Sequence, residues 1–98
     1  MKNSRNGSGA AEYRVDYRPT AVKDLDGIPI RVQDKIFAAV DALGHNPLPR
    51  GTKKIKDARN RFRIRAGDYR IVYRIHFDER LVQVEFVRHR KDIYKQLD

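Results

Sequence analysis

The chain has 98 residues, 40% of them hydrophobic and 36% charged, with 22 Lys and Arg against 13 Asp and Glu and a formal net charge of +9. That balance is too apolar for a wholly disordered chain and too polar for a membrane protein. No apolar run approaches the ~18 residues of a spanning helix, and the lack of cysteine excludes a disulfide framework and a thiolate metal site.

Residues 1–11 are polar and rich in Gly, Ser and Asn, which predicts a flexible tail ahead of one domain over 12–98. They lack the apolar stretch of a secretory signal, which fits a cytoplasmic location. Tyr13 to Tyr17 alternates apolar and polar residues, the period of a half-buried strand. Pro19 suits the first turn of a helix over Thr20 to Leu25, ended by Gly27. Pro29 opens a second helix in which Val32, Ile36, Ala39, Val40 and Leu43 recur at helical spacing. Gly44 stands where a left-handed cap is expected, and Asn46-Pro47-Leu48-Pro49 forbids further helix.

From Gly51 the period changes to that of strands. Lys54-Ile55-Lys56 predicts a short strand, and Phe62 and Ile64 alternate with Arg61, Arg63 and Arg65. Ala66-Gly67-Asp68 reads as a turn, Tyr69 through Phe77 as a strand, Asp78-Glu79-Arg80 as a turn and Leu81 through Val87 as the last long strand. Asp92 to Leu97 suggests a short closing helix. The fold class is therefore α+β: an N-terminal strand and two helices, the helices on one face of a four- to five-stranded, mainly antiparallel, twisted sheet.

Side chains alternate across a strand, so parity sorts them onto faces. Phe62, Ile64, Ile71, Tyr73, Ile75, Phe77, Val82, Val84 and Phe86 form the set expected to meet the helices. Arg61, Arg63, Arg65, Arg70, Val72, Arg74, His76, Gln83 and Glu85 form the other. Like charges on neighbouring strands repel. A clustered arginine face is thus explained better by a phosphate ligand, which arginine grips bidentately, than by solvation alone. The run Val87 to Tyr94 then delivers an imidazole, two guanidiniums, an ammonium and a phenol to one end of the sheet.

Two segments together, Arg63-Ile64-Arg65-Ala66-Gly67-Asp68-Tyr69-Arg70-Ile71-Val72-Tyr73 and Val87-Arg88-His89-Arg90-Lys91-Asp92-Ile93-Tyr94, resemble the RelE/ParE superfamily of bacterial and archaeal toxins. The first is similar to that family's Gly-x-Tyr-Arg step and the second to its His-Arg-x-x-x-Tyr ending, nearer the RelE branch. The resemblance implies a type II toxin that cuts messenger RNA in the ribosomal A site without metal or cofactor. The ribose 2′-hydroxyl attacks the adjacent phosphate, which requires a base, positive charge at the phosphate oxygens and an acid for the leaving 5′-oxygen.

Carried over by position, Arg70 would hold the scissile phosphate, Arg90 would contact the phosphate or transition state, and Tyr94 would orient or activate the reacting nucleotide and stack near it. Arg65 joins the catalytic set, and Arg61, Arg63, Arg74, Lys54 and Lys56 the RNA-binding set. Arg63 and Arg65 occupy the strand where the best-known RelE-like enzymes place paired lysines. Arginine stays protonated and is a poor proton donor, so the acid falls to His89 or to one of Lys53, Lys54 and Lys56, with His89 preferred. The resemblance also implies a cognate acidic antitoxin with an amphipathic helix, the ribosome and mRNA as targets, operator DNA reached through the antitoxin, and no membrane partner. A ParE-type toxin that binds DNA gyrase, and a non-catalytic RNA- or antitoxin-binding module, remain alternatives.

Overall fold

The computed structural model describes residues 12–92. Strand β1 (Arg14–Tyr17) leads into helices α1 (Pro19–Asp26) and α2 (Ile30–His45), followed by strands β2 (Lys53–Lys54), β3 (Arg61–Ala66), β4 (Tyr69–His76) and β5 (Leu81–His89). The strands form one five-stranded sheet in the order β1-β5-β4-β3-β2. All neighbours are antiparallel except β1, which runs parallel to β5 with Arg14 opposite Leu81 and Tyr17 opposite Val84. The α+β reading therefore holds, with five strands and both helices against one face of the sheet.

Local chemistry explains the boundaries. Pro19 sits in the first turn of α1, where its missing N–H costs nothing. Pro29 caps α2, and the Gln33 side-chain amide donates to the carbonyls of Leu25 and Ile28 at 2.7 and 3.0 Å. That bond satisfies the frayed end of α1 and ties the two helices into a hairpin. Gly44 does not cap α2. The helix runs on to His45, and the buried Gly44 carbonyl accepts from the N–H groups of Glu12 and Tyr13 at 3.0 and 2.9 Å. A glycine there lets the entering chain lie against the helix, which is a packing reason rather than a dihedral one.

The core lies between helices and sheet: Ala21, Leu25, Ile28, Ile36, Val40 and Leu43 meet Ile64, Ile71, Tyr73, Ile75, Val82, Val84 and Val87. Three expectations are corrected. The second strand is Lys53–Lys54, not Lys54 to Lys56. Phe77 lies in the β4–β5 turn, 44% exposed. Phe86 leaves the helix side, because a bulge interrupts β5: Tyr73 pairs with Val84 and Val72 with Phe86, so Glu85 has no opposite residue. The expected closing helix lies outside the described residues, as does the expected N-terminal tail. Among the described residues no helix is long and apolar enough to cross a membrane.

Candidate nucleic-acid interface

Residues paired across strands share a face, so the register defines the surface opposite the helices. Arg65, Arg70 and Arg88 form one row across β3, β4 and β5. The next row is Arg63, Val72 and Phe86, extended by Lys53 of β2 opposite Arg63. A third holds Arg61, Arg74 and Gln83.

The tight β3–β4 turn aligns the first row. Gly67 adopts φ 61°, in the left-handed region that glycine enters without Cβ strain. The Arg70 guanidinium donates to the carbonyls of Gly67 and Tyr69 at 3.2 and 3.1 Å, which fixes its stem along the turn. The Arg90 backbone N–H donates to the Asp68 carbonyl at 2.7 Å, and its guanidinium lies 3.9 Å from the Asp68 carboxylate while staying more than half exposed. The same turn therefore gathers Arg70 and Arg90 at one end of the sheet. Arg88 Nε donates to Asp24 of α1 at 2.9 Å, and its guanidinium carbon stands 5.0 Å from the Phe86 ring centre. Val72 is fully buried yet outside the main core. Its cross-strand neighbours are Arg63 and Phe86. Arg65 is exposed and makes no ion pair with a described residue.

The lower part of the face is different. Glu85 places one carboxylate oxygen 2.7 Å from Arg61 Nε and the other 3.2 Å from Arg74 Nε. His76 Nε2 shares a 3.0 Å hydrogen bond with Gln83. Among the described residues no group of three or more His, Asp or Glu could hold a metal ion.

The sequence-predicted residues thus separate. Arg63, Arg65 and Arg70 share the upper face, with Arg90 beside them, and Arg61 and Arg74 share the lower face in ion pairs. Two candidates lie on the helix side. Lys54 pairs in register with Phe62 and sits over its ring at 5.3 Å. His89 pairs with Tyr69, packs edge-on against it at 5.4 Å, and accepts at Nδ1 from the Lys91 N–H at 3.2 Å. Lys56 lies exposed in the turn after β2. Tyr94 lies outside the described residues. Arg88 and Lys53 received no place on this face from the sequence. Parity counted along β5 turns Arg88 inward, and only the bulge at Glu85 brings it back out.

Known proteins share this sequence pattern and fold. Residues 15–94 match the family described as the ParE toxin of type II toxin–antitoxin systems, parDE. Toxin RelG of Mycobacterium tuberculosis is 35% identical over 86 residues, covering 86% of this chain and 98% of the relative. Toxin RelE3 of Methanocaldococcus jannaschii is 34% identical over 85 residues, covering 83% and 94%. The fold superposes on the RelBE2 toxin–antitoxin complex of Mycobacterium tuberculosis with a TM-score of 0.72 and 30% identity, over 80% of this chain and 98% of that one. It superposes on the RelB–RelE complex of Methanococcus jannaschii with a TM-score of 0.68 and 31% identity, over 85% and 99%. Sequence and fold together place the chain in the RelE/ParE superfamily, as a toxin of a type II toxin–antitoxin system.

Proposed function

We propose that this toxin is an endoribonuclease of RelE type, acting in the cytoplasm on mRNA held by the ribosome. The observation that carries the reading is the row Arg65, Arg70 and Arg88, with Arg63 behind it and Arg90 at its end. Such guanidiniums suit a phosphate whose charge grows in the transition state. The 2′-hydroxyl loses its proton and attacks phosphorus, the P–O5′ bond breaks, and the 5′-oxygen takes up a proton. A 2′,3′-cyclic phosphate and a free 5′-hydroxyl result. Arg70 holds the scissile phosphate, Arg65 and Arg90 stabilise the developing charge, Arg63 guides the flanking backbone, and Tyr94 orients or activates the reacting nucleotide. For the acid, Lys53 displaces His89: strand register puts Lys53 on the arginine face, and His89 and Lys54 on the other.

The partner is a cognate antitoxin, as RelB is for RelE in the Methanococcus jannaschii complex, and a basic toxin suits one with an acidic, amphipathic helix. The exposed apolar side chains Val22, Ile30 and Phe37 on the helices offer it apolar ground, and operator DNA is reached through it. Primer extension on a ribosome-bound message tests the activity. Wild type cleaves, and Arg70→Ala slows cleavage by about 100-fold, the usual cost of one charge-stabilising donor. Equal cleavage by the two would sink the reading. A second reading, gyrase binding, is favoured by the match to the ParE description. Inhibited supercoiling with messages left intact would select it.

A further inference from the structure

We infer that Glu85 confines RNA to the upper part of the arginine face by keeping Arg61 and Arg74 as its own ion-pair partners, off the phosphates. This rests on the RNA-binding reading above and adds a specificity residue to it.

The bulge makes the arrangement possible. Glu85 is the unpaired extra residue of β5, and its carbonyl accepts from the Thr20 hydroxyl of α1 at 2.5 Å, so its backbone is held. Its carboxylate lies between two arginines that are themselves cross-strand partners, at 2.7 Å from Arg61 and 3.2 Å from Arg74. The glutamate side chain is only 13% exposed and the arginines 26% and 28%. Arg74 also donates to the Arg59 carbonyl at 2.5 Å. A phosphate that took one arginine would leave one oxygen of a nearly buried carboxylate without its cation, and taking both would leave the charge unpaired, which opposes the exchange. In the first row, Arg88 is held in the same way by Asp24 at 2.9 Å, whereas Arg65 stays exposed. Glu85 thus gives Arg61 and Arg74 a shared counter-charge of their own on the lower part of the face.

Removing that charge should lengthen the contact. Arg74 borders an open cavity of about 580 Å³ with room for a nucleotide, lined by Arg59 and His76 as well as by the acidic Asp78 and Glu79. Glu85→Gln keeps the side-chain volume and leaves two guanidiniums without a counter-charge.

The experiment measures affinity of the full chain for a 2′-O-methyl RNA oligonucleotide, which cannot be cleaved, across a series of NaCl concentrations. Each added phosphate contact on a single strand steepens the log–log salt slope by about 0.7. Glu85→Gln is expected to steepen it by about 0.7 to 1.4 and to bind more tightly at low salt. The triple variant R61Q/R74Q/E85Q removes the charges together and is expected to keep the wild-type slope. It also carries the test if Glu85→Gln alone does not fold. An unchanged slope in Glu85→Gln, or a shallower slope in the triple variant, overturns the inference. Arg65→Ala reports on the underlying reading: if wild type does not bind the oligonucleotide, or Arg65→Ala keeps the full slope, RNA binding by this face fails irrespective of Glu85.

Discussion

At the scale of single residues, two tyrosines tie strands to the rest of the fold. Tyr73 is fully buried on β4 and its hydroxyl donates to the Pro47 carbonyl at 2.6 Å, anchoring the proline-rich loop after α2 to the central strand. Burial raises its pKa. Tyr17 packs edge-on against Phe37 of α2 at 5.9 Å, and burial, with the Asp41 carboxylate nearby, pushes its pKa up to about 12. A phenol whose folded pKa exceeds its unfolded value stabilises the fold fully below ~10, and that contribution is lost as pH rises from there through the folded pKa. Urea midpoints should therefore fall between pH 9.5 and 11.5, and less steeply in Tyr17→Phe than in wild type. Parallel curves would show that this phenol does not titrate with unfolding. The arginines were the most legible residues of the site. On β3 and β4, uninterrupted alternation gives parity a correct account of Arg63, Arg65 and Arg70. A two-residue strand carries too little pattern to fix its phase, so the face of Lys54 is not legible in the sequence; only pairing with β3 shows that Lys53 shares the face of Arg63.

At the scale of elements, β5 is where sequence and structure part. Its alternation reads smoothly from Leu81 to Val87, and nothing in the residue types announces that Glu85 is extra. The bulge is set by neighbours. β1 pairs with β5 only through Val84, and α1 takes over the exposed edge beyond. Thr20 and Asp24, one helical turn apart on α1, bind the Glu85 carbonyl and the Val87 N–H at 2.5 and 3.0 Å. An edge that would otherwise present unpaired backbone is covered by a helix. The same Asp24 oxygen holds Arg88 at 2.9 Å, so one carboxylate both seals the edge and fixes an arginine of the upper row. Asp24→Ala should lower unfolding free energy by about 1–3 kcal/mol, since a nearly buried N–H and a charged donor both lose their acceptor. Asp24→Asn should cost less, because its amide oxygen still accepts from Val87. Urea unfolding of the two variants decides this, and equal losses would mean that the edge bond contributes nothing. The helices needed no such long-range partner to be read. Proline at each start and the 3.6-residue period are local signals, whereas the partners of the Gly44 carbonyl, the N–H groups of Glu12 and Tyr13, lie far away in sequence.

At the scale of the whole molecule, charge and architecture pull in different directions. A net charge of +9 is carried on a body of 40 × 32 × 25 Å, so most cations lie within one screening length of each other at low salt. The sheet concentrates them further, by placing Arg65, Arg70 and Arg88 in adjacent positions with Arg63 and Lys53 behind. Opposing this are ion pairs of two kinds. Arg61 and Arg74 with Glu85, and Arg88 with Asp24, are mostly covered and respond little to salt. Arg80–Glu12 at 3.8 Å and Arg90–Asp68 at 3.9 Å are exposed and contribute little at any ionic strength. Added salt therefore weakens the repulsion more than the attraction. Raising NaCl from ~10 to ~150 mM shortens the screening length from ~30 to ~8 Å, which is below the smallest dimension of the protein. The thermal midpoint should rise by about 4 °C, equivalent to ~1 kcal/mol for a domain of this size. A fall in the midpoint over the same range would show that attractive pairs dominate. The basic face would then be a self-compensated surface rather than one that stores repulsion for a polyanion to relieve.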